Sequence, residues 1–139
     1  MTGGKIMAGI RKVWMSRVIL LLYIAAVALL CFVKLGNGLD LGSDWLGIPK
    51  DKIAHFFMFL PFPFLAFLSF YRSKDSKLRL VLFVLVVLVV GLVLAGTTEI
   101  VQGWLGYRSE DINDFRADSI GLFIGSVGVL IYCAATKKW

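Results

Sequence analysis

Five of the nine acidic residues of this sequence lie within residues 98–125, a stretch set between long apolar runs. They are Glu99, Glu110, Asp111, Asp114 and Asp118. A charged side chain at the centre of a membrane helix costs roughly 2.5–3.5 kcal/mol on insertion scales. An apolar chain that gathers its few carboxylates in this way is expected to use them in a binding or catalytic site.

Glu99 and His55 have the side chains best suited to proton transfer. Glu99 falls inside an apolar run rather than in a loop, and an acid in such a place is usually functional. An apolar wall beside it would suit it to general acid or base catalysis. His55, the only histidine, fits acid–base chemistry or metal ligation. Together with Asp111 and Asp114, these two residues form the predicted catalytic set.

A second set is predicted to contact a substrate: Arg108, Gln102, Asp51, Asp118 and Tyr107. An arginine can neutralise the carboxylates or hold a phosphate through two parallel hydrogen bonds. Structural roles remain open for several of these residues. Glu99 could form an ion pair with Arg108, and Asp51 could bond to His55 one helical turn later.

Helix capping offers a further alternative. Ser109, Asp111 or Asn113 could cap the last helix, and acids are favoured in the first turn of a helix. Capping would account for one or two of the carboxylates but not for all five. No recognised metal-ligand spacing is present, so no residue is assigned to a metal or other cofactor. A hard divalent cation that bridges several carboxylates stays open as an alternative.

The composition is that of a membrane protein. Hydrophobic residues make up 59% and charged residues 17% of the 139 residues, against roughly 25% charged in a soluble domain; the mean hydropathy is +0.85. Four apolar segments are long enough to cross a bilayer as helices, which takes about 20 residues: roughly 14–35, 54–71, 78–104 and 114–136. We therefore predict a single all-α membrane domain over residues 1–139, built as a bundle of four transmembrane helices.

The basic residues predict the orientation of this bundle, because cytoplasmic loops are enriched in Lys and Arg. The two tails and the loop between the second and third spans carry ten of the 15 basic residues, and the other two loops carry five. Both termini are therefore predicted to be cytoplasmic. His55, Glu99 and Asp114 would then meet at the outer mouth of the bundle. The net charge of +6 is spread between apolar runs, which argues against a nucleic-acid partner.

Small residues predict how the helices pack. Gly91 and Ala95 share a helix face with Glu99 in the third span, and Gly121 and Gly125 share one with Asp118 in the fourth. Because small residues let helices approach closely, the third and fourth spans are predicted to pack along these faces. Pro61 and Pro63 predict a kink in the second span. That kink could carry His55 over the site or could serve packing alone.

Three motifs resemble the VanZ-like family of small bacterial membrane proteins: DKIAHF, TTEIVQ and YRSEDINDFRADSIG. They occur in order, each on the expected segment, over roughly half of the chain. The resemblance assigns the family's characteristic positions to Asp51, His55, Glu99, Gln102, Arg108, Asp111, Asp114 and Gly121. The family usually has Asn where this chain has Asp118. Its founding protein is associated with low-level resistance to teicoplanin, so the resemblance implies a role in the cell envelope.

Three functions remain open at this stage. The first is an enzyme of the bacterial cytoplasmic membrane that hydrolyses or transfers a group on a lipid-linked or glycan substrate at the outer leaflet. The second is a non-catalytic factor that binds envelope precursors or partner proteins. The third is an ion-coupled transporter, which is disfavoured because the acids lie at one mouth only. The expected partners are the lipid bilayer and lipid-linked intermediates, and no oligomeric state is indicated.

Overall fold

Five helices make up the fold in the computed structural model, which describes residues 2–32, 47–72, 76–106 and 111–137, with side chains from residue 7 onward. The helices are α1 (Thr2–Phe32), α2 (Lys50–Phe59), α3 (Phe62–Phe70), α4 (Lys77–Leu105) and α5 (Ile112–Thr136). The described residues form no strand. Four segments are long and apolar enough to cross a membrane: Met7–Phe32, Lys50–Phe70, Lys77–Leu105 and Ile112–Thr136. The predicted all-α fold with four spans is confirmed.

The second span is two helices, as the prolines predicted. α2 ends at Phe59, and α3 begins at Phe62 after a turn at Leu60 and Pro61. Pro63 has no amide hydrogen to donate to Phe59 one turn earlier, so the helical hydrogen-bond ladder is interrupted there. Pro63 is fully buried. The break therefore separates a half-span that carries His55 from one that carries mainly aromatic packing residues.

The spans alternate in direction along the bundle. At one end, the Gln102 amide group near the end of α4 donates to the Cys31 carbonyl at the end of α1, over 3.1 Å. At the opposite end, the Ser69 hydroxyl of α3 donates to the Ser16 carbonyl of α1, over 3.0 Å. The ends of α1 and α4 and the starts of α2 and α5 thus share one end of the bundle, which we call the site end.

α4 and α5 each bury one stripe of residues. In α4 the stripe runs Leu80, Val84, Val87, Gly91, Ala95, Glu99 and Gln102, and in α5 it runs Asp114, Asp118, Gly121, Leu122, Ser126, Val129 and Cys133. The spacing of three or four residues is that of one helix face. The predicted shared face of Gly91, Ala95 and Glu99 is therefore the buried face of α4. Along both stripes, apolar and small residues give way to carboxylates toward the site end.

The third and fourth spans pack together as predicted, with Gly91 of α4 against Leu122 of α5, but the predicted partner of the fourth-span glycines is wrong. α5 packs against both α4 and α2, but a methyl group on Gly121 would overlap the Phe56 carbonyl oxygen, and one on Gly125 the Leu60 carbonyl oxygen. Both glycines therefore face the second span. The broken backbone of that span comes so close to α5 that only a residue without a side chain fits.

Large apolar side chains cover the outside of the bundle. Val86, Val89 and Val93 of α4 are exposed, as are Ile120 and Ile131 of α5. In water such a surface would be unfavourable, at about 25 cal/mol for each Å² of apolar area. Helices satisfy their own backbone hydrogen bonds in lipid, so a bundle with this surface is a membrane protein.

Candidate functional site

A lysine holds three carboxylates together at the site end. The Lys52 ammonium donates to Asp51 at 3.0 Å and also to Asp111 and Asp114. These residues come from the start of α2, the residue before α5 and the first turn of α5, so the ion pairs tie α2 to α5. The Asp114 side chain is only 4% exposed, whereas that of Asp51 is 42% exposed. We call Asp51, Asp111 and Asp114 the outer set.

His55 lies one helical turn deeper, among buried carboxylates. Its Nδ1 is 3.0 Å from Oδ1 of Asp118 and 4.0 Å from Oε1 of Glu99, and its Nε2 is 3.5 Å from Oδ2 of Asp114. His55 is 1% exposed, Asp118 0% and Glu99 7%. We call His55, Glu99 and Asp118 the inner set. Asp114 joins the two sets, because one of its oxygens faces Lys52 and the other faces His55.

The start of α5 fixes Glu99 in place. The backbone N–H of Asp111 donates to Oε2 of Glu99 over 3.3 Å. The Asp111 side chain accepts from the N–H of Asn113 over 2.8 Å, so Asp111 is the cap of α5. The capping role that the sequence left open among three residues therefore belongs to Asp111. The Lys52 ammonium, which donates to this carboxylate, holds the pKa of Asp111 below its ordinary value.

The inner set is arranged to hold a proton or another cation. A neutral imidazole has one N–H donor, and an imidazolium has two. Carboxylate oxygens face both ring nitrogens of His55. A neutral ring can therefore donate a hydrogen bond to the carboxylate at one nitrogen but not to the carboxylate at the other. A proton shared among His55, Asp114 and Asp118 satisfies this arrangement, which is the chemistry required of an acid–base group.

Two groups of side chains are also close enough to hold a metal ion. In each group one ligand atom per residue lies within 4.8 Å of the others: the inner set forms one group and the outer set the other. The inner set offers an imidazole and two carboxylates, and the outer set offers three carboxylates. The sequence assigned no residue to a metal, because His55, Glu99 and Asp118 come from three helices and leave no spacing motif.

A groove of about 370 Å³ runs beside the site between α2 and α5. Ile53 and Phe56 of α2 and Ala117 and Ile120 of α5 line it. Lys52 also lines the groove and contacts the outer set, so the groove meets the carboxylates at that residue. An apolar groove that ends at charged side chains can accept an amphipathic molecule.

The structure brings six of the nine predicted site residues together: His55, Glu99, Asp111, Asp114, Asp51 and Asp118. Arg108 and Tyr107 lie outside the described residues. Gln102 is fully buried, and its described hydrogen bond ties α4 to α1 at Cys31. The alternative in which Asp51 bonds to His55 is not observed, because Asp51 bonds to Lys52 and the nearest described partner of the ring is Asp118.

Lys52 is the site residue that the sequence analysis missed. The charge pattern counts it among the basic residues that set the orientation and places it at the same predicted mouth as His55, but it is in neither predicted site set. The signal was its spacing, because Lys52 and His55 are three residues apart and share a helix face. Asp118 also has a more central place than predicted, since its carboxylate is the nearest described partner of His55.

The comparisons with known proteins agree with the motifs in the sequence. No curated protein and no solved structure matches the chain. A family model described as VanZ/LLP1 matches residues 13–134, a stretch that contains the second and third spans, most of the first and fourth, and both carboxylate sets. The chain is a multi-pass membrane protein that belongs to the VanZ/LLP1 family.

Proposed function

We propose that the chain is an envelope enzyme that hydrolyses or transfers a group on a lipid-linked precursor at the outer leaflet of the bacterial cytoplasmic membrane. His55, Glu99 and Asp114 move protons, and Asp118 orients the imidazole. Asp111 and Lys52 position Glu99 and Asp114. The groove between α2 and α5 holds the apolar part of the precursor. Membership of the VanZ/LLP1 family supports a role in the envelope, and teicoplanin susceptibility is the phenotype to examine first.

One observation carries this proposal: two buried carboxylates, Glu99 of α4 and Asp118 of α5, lie within 4.0 Å of one ring nitrogen of the buried His55 of α2. Burying charged groups in a membrane bundle is expensive, and such groups usually mark substrate or proton sites. A purely structural pair would need only one acid beside His55. The additional presence of Glu99, which among the described residues is held by the backbone N–H of Asp111 and not by a Lys or Arg side chain, favours proton transfer.

The test uses conservative variants in a glycopeptide-susceptible bacterium that expresses the chain. His55→Gln and Glu99→Gln are expected to abolish both the change in teicoplanin susceptibility and any change in the pool of lipid-linked precursors, measured by mass spectrometry of lipid extracts. Ser126→Ala is the matched control, because Ser126 is a buried polar residue on the same face of α5, two turns beyond Asp118. Protein abundance is measured for each variant.

The proposal fails if His55→Gln and Glu99→Gln behave as wild type at equal abundance. It also fails as an enzyme if purified protein in lipid nanodiscs leaves extracted precursors unchanged. In the second case the same precursors, bound and recovered intact, would point to the alternative function below.

A second candidate function, non-catalytic binding of envelope precursors, is favoured by Lys52. Its ammonium already bonds to Asp51, Asp111 and Asp114, so a side chain of the protein itself supplies the cation that neutralises the outer set. A site closed in this way can hold a headgroup without changing it. Under this function, groove variants such as Phe56→Ala would lower precursor binding, while His55→Gln would leave it intact.

A further inference from the structure

The inner and outer sets both bring three possible ligand atoms together, but they differ in the basic side chain beside the carboxylates. Each set has three ligand atoms within 4.8 Å of one another. In the outer set the Lys52 ammonium contacts all three carboxylates, so a cation belonging to the chain occupies the centre. In the inner set the basic group is the imidazole of His55, which is itself one of the three possible ligands and is neutral unless it takes up a proton.

Glu99 provides an independent indication of a ligand. Although it is only 7% exposed, its Oε1 receives no hydrogen bond from any described residue. The other oxygen, Oε2, is held by the Asp111 N–H, and this contact directs Oε1 toward Nδ1 of His55, 4.0 Å away. A buried carboxylate oxygen without a donor costs free energy unless it meets a cation or a proton.

The charges of the inner set match a divalent cation. Two carboxylates and a neutral imidazole carry two negative charges. A divalent cation neutralises both charges, whereas protonation of the imidazole neutralises only one. The side chains also suit a particular class of metal. Imidazole nitrogen with carboxylate oxygen is a ligand set for Zn²⁺ and its neighbours, whereas Mg²⁺ favours oxygen ligands alone.

The distances and the environment of His55 fit the same assignment. Ligand atoms about 2.0–2.2 Å from Zn²⁺ lie about 3.4 Å apart in a tetrahedron, between the 3.0 Å and 4.0 Å that separate Nδ1 from Asp118 and Glu99. The opposite nitrogen, Nε2, is 3.5 Å from Asp114. A metal-binding histidine usually donates its other N–H to a carboxylate, which fixes the ring.

We infer that Nδ1 of His55 and the carboxylates of Glu99 and Asp118 bind one divalent transition-metal cation of the Zn²⁺ class. Asp114 holds the ring through Nε2, and Lys52 holds Asp114. The inference goes beyond the proposed function, because either an enzyme or a binding factor could use the cation. In the metal-bound chain Nδ1 of His55 and the Glu99 carboxylate are ligands, so of the three proposed proton-transfer groups only Asp114 is not bound to the cation.

The test is zinc binding by the full chain, purified in detergent with an affinity tag that contains no histidine. After treatment with a chelator, titration with Zn²⁺ is expected to show one ion per chain. Glu99→Gln and Asp118→Asn are expected to weaken binding by more than about tenfold, because even residues that only support a ligand contribute about 10–100-fold. Asp51→Asn is the matched control from the outer set and is expected to keep wild-type affinity.

A spectroscopic measurement on the wild-type chain covers the case in which a variant does not fold. His55 is the only histidine, so imidazole scattering in the X-ray absorption spectrum of bound zinc reports this one residue. The expected spectrum has nitrogen and oxygen ligands, one imidazole and no sulfur.

Three results would overturn the inference: no zinc bound by the wild-type chain, a spectrum without imidazole, or an equal loss of zinc in Asp51→Asn. The outcome is separable from that of the proposed function. If zinc does not bind but His55→Gln still abolishes the phenotype, the metal site is wrong and proton transfer by His55 stands.

Discussion

Gly121 of α5 lies directly against the backbone of Phe56 in α2, with no side chain between the two helices. A Cβ on Gly121 would overlap the Phe56 carbonyl oxygen and would lie 3.2 Å from the Leu60 amide nitrogen. Phe56 follows His55, and Gly121 comes three residues after Asp118. The close approach of the two backbones therefore sets the distance at which the imidazole meets the Asp118 carboxylate.

Substitution of Gly121 by alanine tests this relationship. Because the clash is with backbone atoms, Gly121→Ala is expected to push α2 and α5 apart and to cost about 1–3 kcal/mol of stability, the usual range for overpacking. The measurement is the unfolding midpoint in detergent. Gly128→Ala is the matched control in the same helix, since a Cβ there meets nothing within 4 Å. Equal midpoints for the two variants would contradict the close contact.

The fold was largely predictable from the sequence because its signals are local. Apolar runs of span length identify the helices, and Pro61 identifies the break in the second span. The face shared by Gly91 and Glu99 follows from helical periodicity alone. None of these inferences requires knowledge of which helix lies beside which.

The partners within the site were less predictable because they depend on helix neighbours. Gly121 and Gly125 identified a close contact, but the sequence does not say which span makes it. Asp51 was the nearest acid to His55 along the chain, whereas the observed partner is Asp118, 63 residues away. Lys52 could be assigned either to membrane orientation or to the site, and only the packing of α2 on α5 decides between them.

Removal of the Lys52 charge is expected to destabilise the chain. Lys52→Met leaves Asp114, whose side chain is 4% exposed, without its cation. Breaking a buried ion pair costs about 3–5 kcal/mol, and the exposure of Asp51 and Asp111 places the expected loss at the lower end of that range. Arg116→Met is the control, because Arg116 is exposed and its described hydrogen bond is to Asn113.

The double variant Lys52→Met/Asp114→Asn sharpens this test. If Lys52 stabilises the chain by neutralising Asp114, the double variant recovers part of the lost stability, since a neutral amide replaces the uncompensated carboxylate. If the double variant instead loses as much stability as the two single variants together, Lys52 and Asp114 act independently.

The Asp111 carboxylate gives the site end a specific dependence on pH. Its pKa lies below the ordinary value of 3.8, mainly because Lys52 donates to it. A lowered folded-state pKa contributes stability that is present above pH 3.8 and is lost as the pH falls through the folded-state pKa. Asp111→Asn removes the charge but keeps an oxygen that can cap α5.

We therefore expect wild type to be more stable than Asp111→Asn at pH 6 and the two to converge as the pH falls below 3.8. The measurement is the unfolding midpoint of both proteins across this range. A constant difference at every pH would assign the effect of Asp111 to helix capping rather than to its charge.

Gln102 offers a test that separates a structural role from the predicted substrate contact. Its amide donates to the Cys31 carbonyl between α4 and α1, and hydrogen bonds between membrane helices average about 0.6 kcal/mol and reach about 1.7. Gln102→Met keeps the length of the side chain, and it should lower the unfolding midpoint by a correspondingly small amount. An unchanged midpoint together with weaker precursor binding would instead favour the substrate contact.

The orientation of the site can be tested by labelling single cysteines in intact cells. In a background with Cys31→Ala and Cys133→Ala, one cysteine replaces Asn113 in the first turn of α5 and another replaces Lys137 after its last turn; both positions are exposed. Since ten of the 15 basic residues predict cytoplasmic termini, a membrane-impermeant maleimide should label Asn113→Cys in intact cells. Lys137→Cys should react only after lysis, and the reverse pattern would put the carboxylates on the cytoplasmic side and rule out an outer-leaflet substrate.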